Sequence, residues 1–166
     1  LLRTELDGEG FSNVDIVAPF IEDMLYERGG DNLKLIYLGL LAGDLVRIAP
    51  SKRRGDYLDK ILHLINSDSL DVTALVDISK DIYDDLKATS SSKRILVVGD
   101  PLVMFNEFLN NFTLRDIEDK GHRVIYGPFS EYMWVLWSDF VDQNGGDDAD
   151  MLRERLDEFK SYIDLV

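Results

Sequence analysis

The chain contains no cysteine. Disulfides, thiolate nucleophiles, zinc–thiolate sites and iron–sulfur clusters ligated by these residues are therefore excluded. Histidine is nearly absent too: His63 and His122 stand far apart, and neither has a ligand residue at i+3 or i+4. No metal site is expected. Long apolar runs are missing, and nothing approaches the roughly 20 residues needed to span a bilayer. The opening LLRTELDGEG lacks the basic start and apolar core of a secretory signal. Positive charge is scarce. Eighteen Lys and Arg face 32 Asp and Glu, a net charge of −14. Such a surface repels phosphate backbones and anionic membranes, so neither nucleic acid nor membrane is an expected partner. The acids read as solvated helix faces, and the expected location is cytoplasmic.

Nucleotide fingerprints are missing as well. There is no G-x-G-x-x-G after a strand, no G-x-x-x-x-G-K-[ST] loop and no G-x-S-x-G elbow. What remains is a soluble composition, 45% hydrophobic and 30% charged. The length, 166 residues, suits one domain or two small ones. No initiator methionine begins it, and the chain reads as a piece of a longer one.

Periodicity divides it. Residues 1–88 read as mostly helical with one short strand, VDIVAP at 14–19, ended by Pro19. Gly29 and Gly30 suggest a turn, and Asp31 or Asn32 a cap for a helix that Pro50 stops. In that helix Gly39 and Gly43 share a face, which permits close packing on a neighbouring helix. A second helix carries Tyr57, Leu58, Ile61, Leu62 and Ile65 as its apolar stripe. The Lys-Arg-Arg run at 52–54 reads as a solvated loop or as an anion grip. A third helix spans about 70–88, and TSSSK at 89–93 reads as a linker.

Beyond the linker the period changes. RILVVG is a strand apolar on both faces, as in a parallel sheet. FNEFLNNFTLRDIEDKG is a helix closed by Gly121, HRVIYGP is a second strand, and SEYMWVLWSDFV is a helix capped by Ser130. The expectation for 94–141 is a Rossmann-like parallel β-α-β-α unit within the α/β class. A loop and a last helix, capped by Asp150, fill 142–166. In parallel α/β sheets ligands sit beyond the carboxyl ends of the strands. That edge gathers Asp100, Asn106, Asn110, Ser130 and Glu131 as crevice candidates, with helix capping as the alternative role for Asn106 and Ser130. No catalytic residue and no metal ligand is assigned. Trp134 and Trp137 point to different sides of one helix, which predicts exposed apolar surface and self-association or a partner there.

The stretch ILVVGDPLVMFNEFLNNFTLRDIEDKGHRVIYGPFSEYMW resembles the second α/β unit of the 2-hydroxyglutaryl-CoA dehydratase D-component superfamily. The closer likeness is to the C-terminal part of its long acyl-CoA dehydratase activase-related members. Gly99, Asp100, Pro101, Val103, Phe105, Asn106, Phe108, Asn110 and Asn111 follow the family run, with Asp100 replacing a usual Glu and Glu107 a usual Pro. In outline, IYLGLLAGDLV resembles a family helix. The resemblance implies a role in anaerobic metabolism, in radical dehydration of 2-hydroxyacyl-CoA or in ATP-driven electron delivery to it. It places ATP and the iron–sulfur cluster elsewhere in a parent protein, with no cofactor in this chain. The expectation is a non-catalytic scaffold piece partnered by the rest of its parent or by a dehydratase subunit. The alternative is a free-standing α/β interaction module with no redox role.

Overall fold

A computed structural model describes residues 25–26, 30–88 and 93–166. The strand expected at 14–19 and residues 89–92 of the linker lie outside the described residues. Helix α1 (Gly30–Ile48) is the centre of the molecule. It begins before Asp31 and Asn32, so Gly30 opens the helix. Leu33, Leu38, Leu41 and Leu45 are buried along it. At roughly 1.5–3 kcal/mol each, their burial outweighs a helix cost of about 1 kcal/mol for each of Gly39 and Gly43. Among the described residues nothing uses the close approach those glycines permit: a Cβ at either would meet no atom within 4 Å. The leucine side of α1 faces the neighbours, and Gly39 is exposed.

Pro50 ends α1 and leads through a 3₁₀ turn (Ser51–Arg53) into α2 (Arg54–Asn66). Only Tyr57 and Ile61 of the expected stripe are buried; Leu58, Leu62 and Ile65 are exposed. The seam is one row of i, i+4 positions because α2 covers α1 from one side only. Asp71 accepts the Ala74 N–H at 2.7 Å and caps α3 (Val72–Ala88), which buries Leu75, Ile78 and Ile82.

Strand β1 (Arg94–Val97) and strand β2 (Arg123–Tyr126) pair in parallel, as expected, with Arg94 opposite Arg123 and Val97 opposite Tyr126. The described residues thus form a mostly helical chain with a small parallel sheet. The single helix expected between the strands is two short ones, α4 (Pro101–Phe105) and α5 (Thr113–Asp119). Asn111 and Phe112 break it, at φ of 52° and 58°. Asn tolerates that left-handed region better than most side chains. Gly121, at φ +82°, closes α5: its N–H reaches the Glu118 carbonyl and the His122 N–H reaches that of Ile117. This is a Schellman cap, as the glycine predicts.

Helix α6 (Phe129–Asn144) and helix α7 (Ala149–Leu165) complete the fold. A 3₁₀ turn (Gly146–Asp148) precedes α7, and Asp150 lies inside the helix, not at its cap. Tyr37 of α1 stacks on Phe159 of α7, ring centres 4.2 Å apart, and Trp137 of α6 packs 5.6 Å from Tyr37. Residues on both sides of 89–93 therefore share one core. The exposed apolar surface expected on this helix lies beside the indoles, with Trp134 half-buried. Trp137 is buried, and α7 of the same chain covers Trp134, whose Nε1–H donates to the Leu156 carbonyl at 3.1 Å. The exposed apolar residues of α6 are Tyr132, Val135 and Leu136. No described helix is long and apolar enough to cross a membrane.

Candidate functional site

The parallel register puts the loops after β1 and β2 on one edge of the sheet. Gly99, at φ +154°, turns the chain out of β1 in a conformation that side chains disfavour. Asp100 then caps α4. Its Oδ1 accepts the N–H groups of Leu102 at 2.8 Å and Val103 at 3.4 Å. Pro101 sits at the first helical position, where a missing N–H costs nothing.

Asn106 ends α4 instead of beginning a helix. Its Oδ1 accepts from Phe108 at 3.0 Å and Leu109 at 3.2 Å, building the next turn. Asn110 lies in that turn, and its Nδ2 donates to the carbonyls of Val103 and Met104 at 3.2 and 3.3 Å. The short polar side chains thus satisfy the orphan groups at both ends of a one-turn helix. Asp100 Oδ1, Asn106 Oδ1 and Asn110 Nδ2 build the loop, and among the described residues the Asn110 Oδ1 is buried without a partner.

Ser130 has a different role from the expected cap. It is buried within the first turn of α6. The cap comes from α1: Asp44 Oδ1 accepts the Phe129 N–H at 2.9 Å and Oδ2 accepts the Ser130 N–H at 2.8 Å. Glu131, next along, is exposed. Among the described residues no hydrogen bond joins Ser130 or Glu131 to Asp100, Asn106 or Asn110.

Sequence reasoning missed Asp44 and Arg47. The signal was there: two charges on the leucine-rich helix, three residues apart. Arg47 lies 3.5 Å from Asp44 and lays its guanidinium over the Phe105 ring at 3.6 Å. Burial pulls the Arg47 pKa down, and the nearby Asp44 pushes it back up. A cleft of about 250 Å³ opens beside them, lined by Asp44, Arg47, Tyr126, Pro128, Glu131 and Ile163. Its charges hold the protein together: Asp44 serves two N–H groups and one guanidinium, and Arg47 covers a ring.

A second hollow, about 370 Å³, lies between α2 and α3. There the Tyr57 hydroxyl donates to Asp85 at 2.7 Å, Arg53 pairs with Asp56 at 2.8 Å and Asp85 at 3.1 Å, and Lys60 pairs with Asp81. Burial, then the Asp85 carboxylate, pushes the Tyr57 phenol up to about 12. Arg54 forks onto Glu118 at 2.6 and 2.7 Å and also reaches the Arg47 carbonyl. Both arginines of the basic run are thereby engaged by the chain's own acids. Among the described residues no group of three or more His, Cys, Asp or Glu is placed to hold a metal ion.

Among the described residues strand β1 is covered on one face only, while on its other face the neighbouring Arg123 and Ile125 of β2 are half-buried. Val124, which pairs with Ile95, is buried, and β2 packs on α1. On the other side Leu96 is 66% exposed, and Val98 just beyond it is 74% exposed. The strand is apolar on both faces, as its sequence reads, but half of that surface is uncovered. No family model, no curated protein and no solved structure matches this chain.

Proposed function

We propose that this chain is a non-catalytic binding module whose working surface is the face and edge of strand β1 that the described residues leave uncovered. The observation that carries this reading is the exposure of Leu96 on a regular parallel strand and of Val98 just beyond its end. Parallel sheets are otherwise buried on both faces, so an apolar open face calls for a second surface to cover it. Asp100, Asp44 and Arg47 at the strand ends favour the same reading, since helix caps and an ion pair engage them.

A second reading keeps the likeness to the 2-hydroxyglutaryl-CoA dehydratase superfamily. The order strand, helix, strand, helix over 94–144 favours it. In that reading the pair belongs to a larger Rossmann-like sheet in a dehydratase- or activase-related parent, whose own layers cover Leu96 and Val98. Cluster and ATP then belong to the parent.

Photocrosslinking in the host cell tests the binding surface. A benzoylphenylalanine at position 96 is expected to form one discrete protein adduct, and the same group at position 62, also exposed, is expected to form none. Equal labelling at both positions, or none at 96, defeats the proposal. An actin-like ATPase domain and cysteine motifs in the parent gene select the second reading, and a parent lacking both ends it.

A further inference from the structure

The uncovered strand also carries a charge pattern that specifies what covers it, an inference resting on the binding-module reading. In the parallel register Arg94 stands directly opposite Arg123. Like charges facing each other across strands are destabilising. Neither arginine has an acidic partner among the described residues, and the Arg123 Nε is buried without one. Burial first, then the charges of Arg94 and Arg54, pull the Arg123 pKa down, and of these arginines Arg54 is matched by Glu118. Lys93, adjoining, is exposed. In a chain with 32 acids and 18 bases, a group of unmatched cations at one end of an apolar strand is against the trend.

The backbone supplies the other half. The Lys93 and Val97 carbonyls accept from Arg123 and Gly127 of the neighbouring strand. In a parallel ladder alternate residues face the partner, so Arg94 and Leu96 turn their N–H and C=O groups to the other edge, which is free among the described residues. Their side chains share the open face, because residues two apart in a strand do. Free edge, apolar positions and terminal cation thus fall in one line: Arg94, Leu96, Val98. A second copy is a poor occupant of this surface. Two copies at net charge −14 repel one another, and the line Arg94, Leu96, Val98 offers no carboxylate to its own copy.

We infer that the free edge of β1 takes up an extended segment of a partner protein as a third strand, with apolar side chains beside Leu96 and Val98 and a carboxylate on Arg94. Main-chain hydrogen bonds supply affinity in such strand addition, and the side chains supply specificity. The carboxylate also relieves the facing of Arg94 and Arg123.

The test uses the whole chain, isotopically labelled, and the blocked peptide Asp-Thr-Val-Thr-Val-Thr-Asp. Its two acids and two valines share one face in either direction. The expected result is amide shifts and slowed exchange centred on Arg94, Leu96 and Val98. A peptide with Lys at both ends, and an Arg94→Glu chain with an unchanged circular dichroism spectrum, are each expected to bind at least about tenfold more weakly. Absent binding, equal affinity for the two peptides, or shifts centred elsewhere overturns the inference. The position-96 crosslink separates the two claims. If it forms while the peptide result fails, the binding module stands and strand addition falls; if it too is missing, both fall.

Discussion

Asp44 of α1 caps α6 across 86 residues of sequence, its carboxylate 2.8 Å from the Ser130 backbone nitrogen and 2.9 Å from that of Phe129. A helix end needs its first N–H groups satisfied, and the side chain nearest in sequence usually does it. Here Pro128 occupies the cap position and has no side-chain acceptor. A carboxylate from the central helix takes the place, and the helix dipole favours its charge. One contact thereby fixes α6, and with it the end of β2, against α1.

Asp44→Ala is expected to lower stability by about 1–2 kcal/mol, the upper range for a lost cap, because the freed N–H of Ser130 is buried. Asp44→Asn keeps an acceptor and is expected to lose less. Urea denaturation followed by tryptophan fluorescence measures both. Equal stability of the wild type and the alanine variant would show the cap to be idle.

Gly39→Ala and Gly43→Ala are each expected to raise stability by roughly 0.4–1 kcal/mol. Both positions are helical, and an added Cβ meets nothing. A drop in melting temperature for either variant would mean that something packs on that face in solution.

The Tyr37 hydroxyl is buried with no partner in the aromatic core, and burial raises its pKa. Tyr37→Phe removes an unsatisfied polar group and keeps the stack on Phe159. Stability is expected to stay level or rise by about 1 kcal/mol. A loss of more than that would reveal a hydrogen bond made in solution.

Tyr57 gives a pH signature. Its folded pKa, about 12, lies above the ordinary tyrosine value of 10. The folded state holds its proton more tightly, so the stabilisation is complete below pH 10 and is lost as pH rises from 10 to 12. In that window the slope approaches about 1.4 kcal/mol per pH unit for one proton. Tyr57→Phe is expected to flatten that part of the curve. An unchanged slope in the variant assigns the alkaline loss to other groups.

Local chemistry was written in the sequence. Helical spacing marked the buried seams Leu75–Ile78–Ile82 and Leu152–Leu156–Phe159. Gly121 marked the end of α5, and the run of apolar residues marked both strands, whose parallel pairing follows from a crossover between them. Each of these depends on neighbours a few residues away. Even so, the three asparagines at 106, 110 and 111 divided a helix that apolar spacing alone presented as continuous.

Only the tertiary structure decided where the charges went. Asp44 and Arg47 are unremarkable beside leucines in sequence, and they meet Ser130 and Phe105 because α1 crosses the end of the sheet. Arg54 finds Glu118 at a distance of 64 residues by the same route. The sequence determined that β1 is apolar on both faces; packing determined that α1 covers one of them and leaves Leu96 and Val98 outside. Alternation is a property of a strand alone, whereas coverage depends on which other elements reach it.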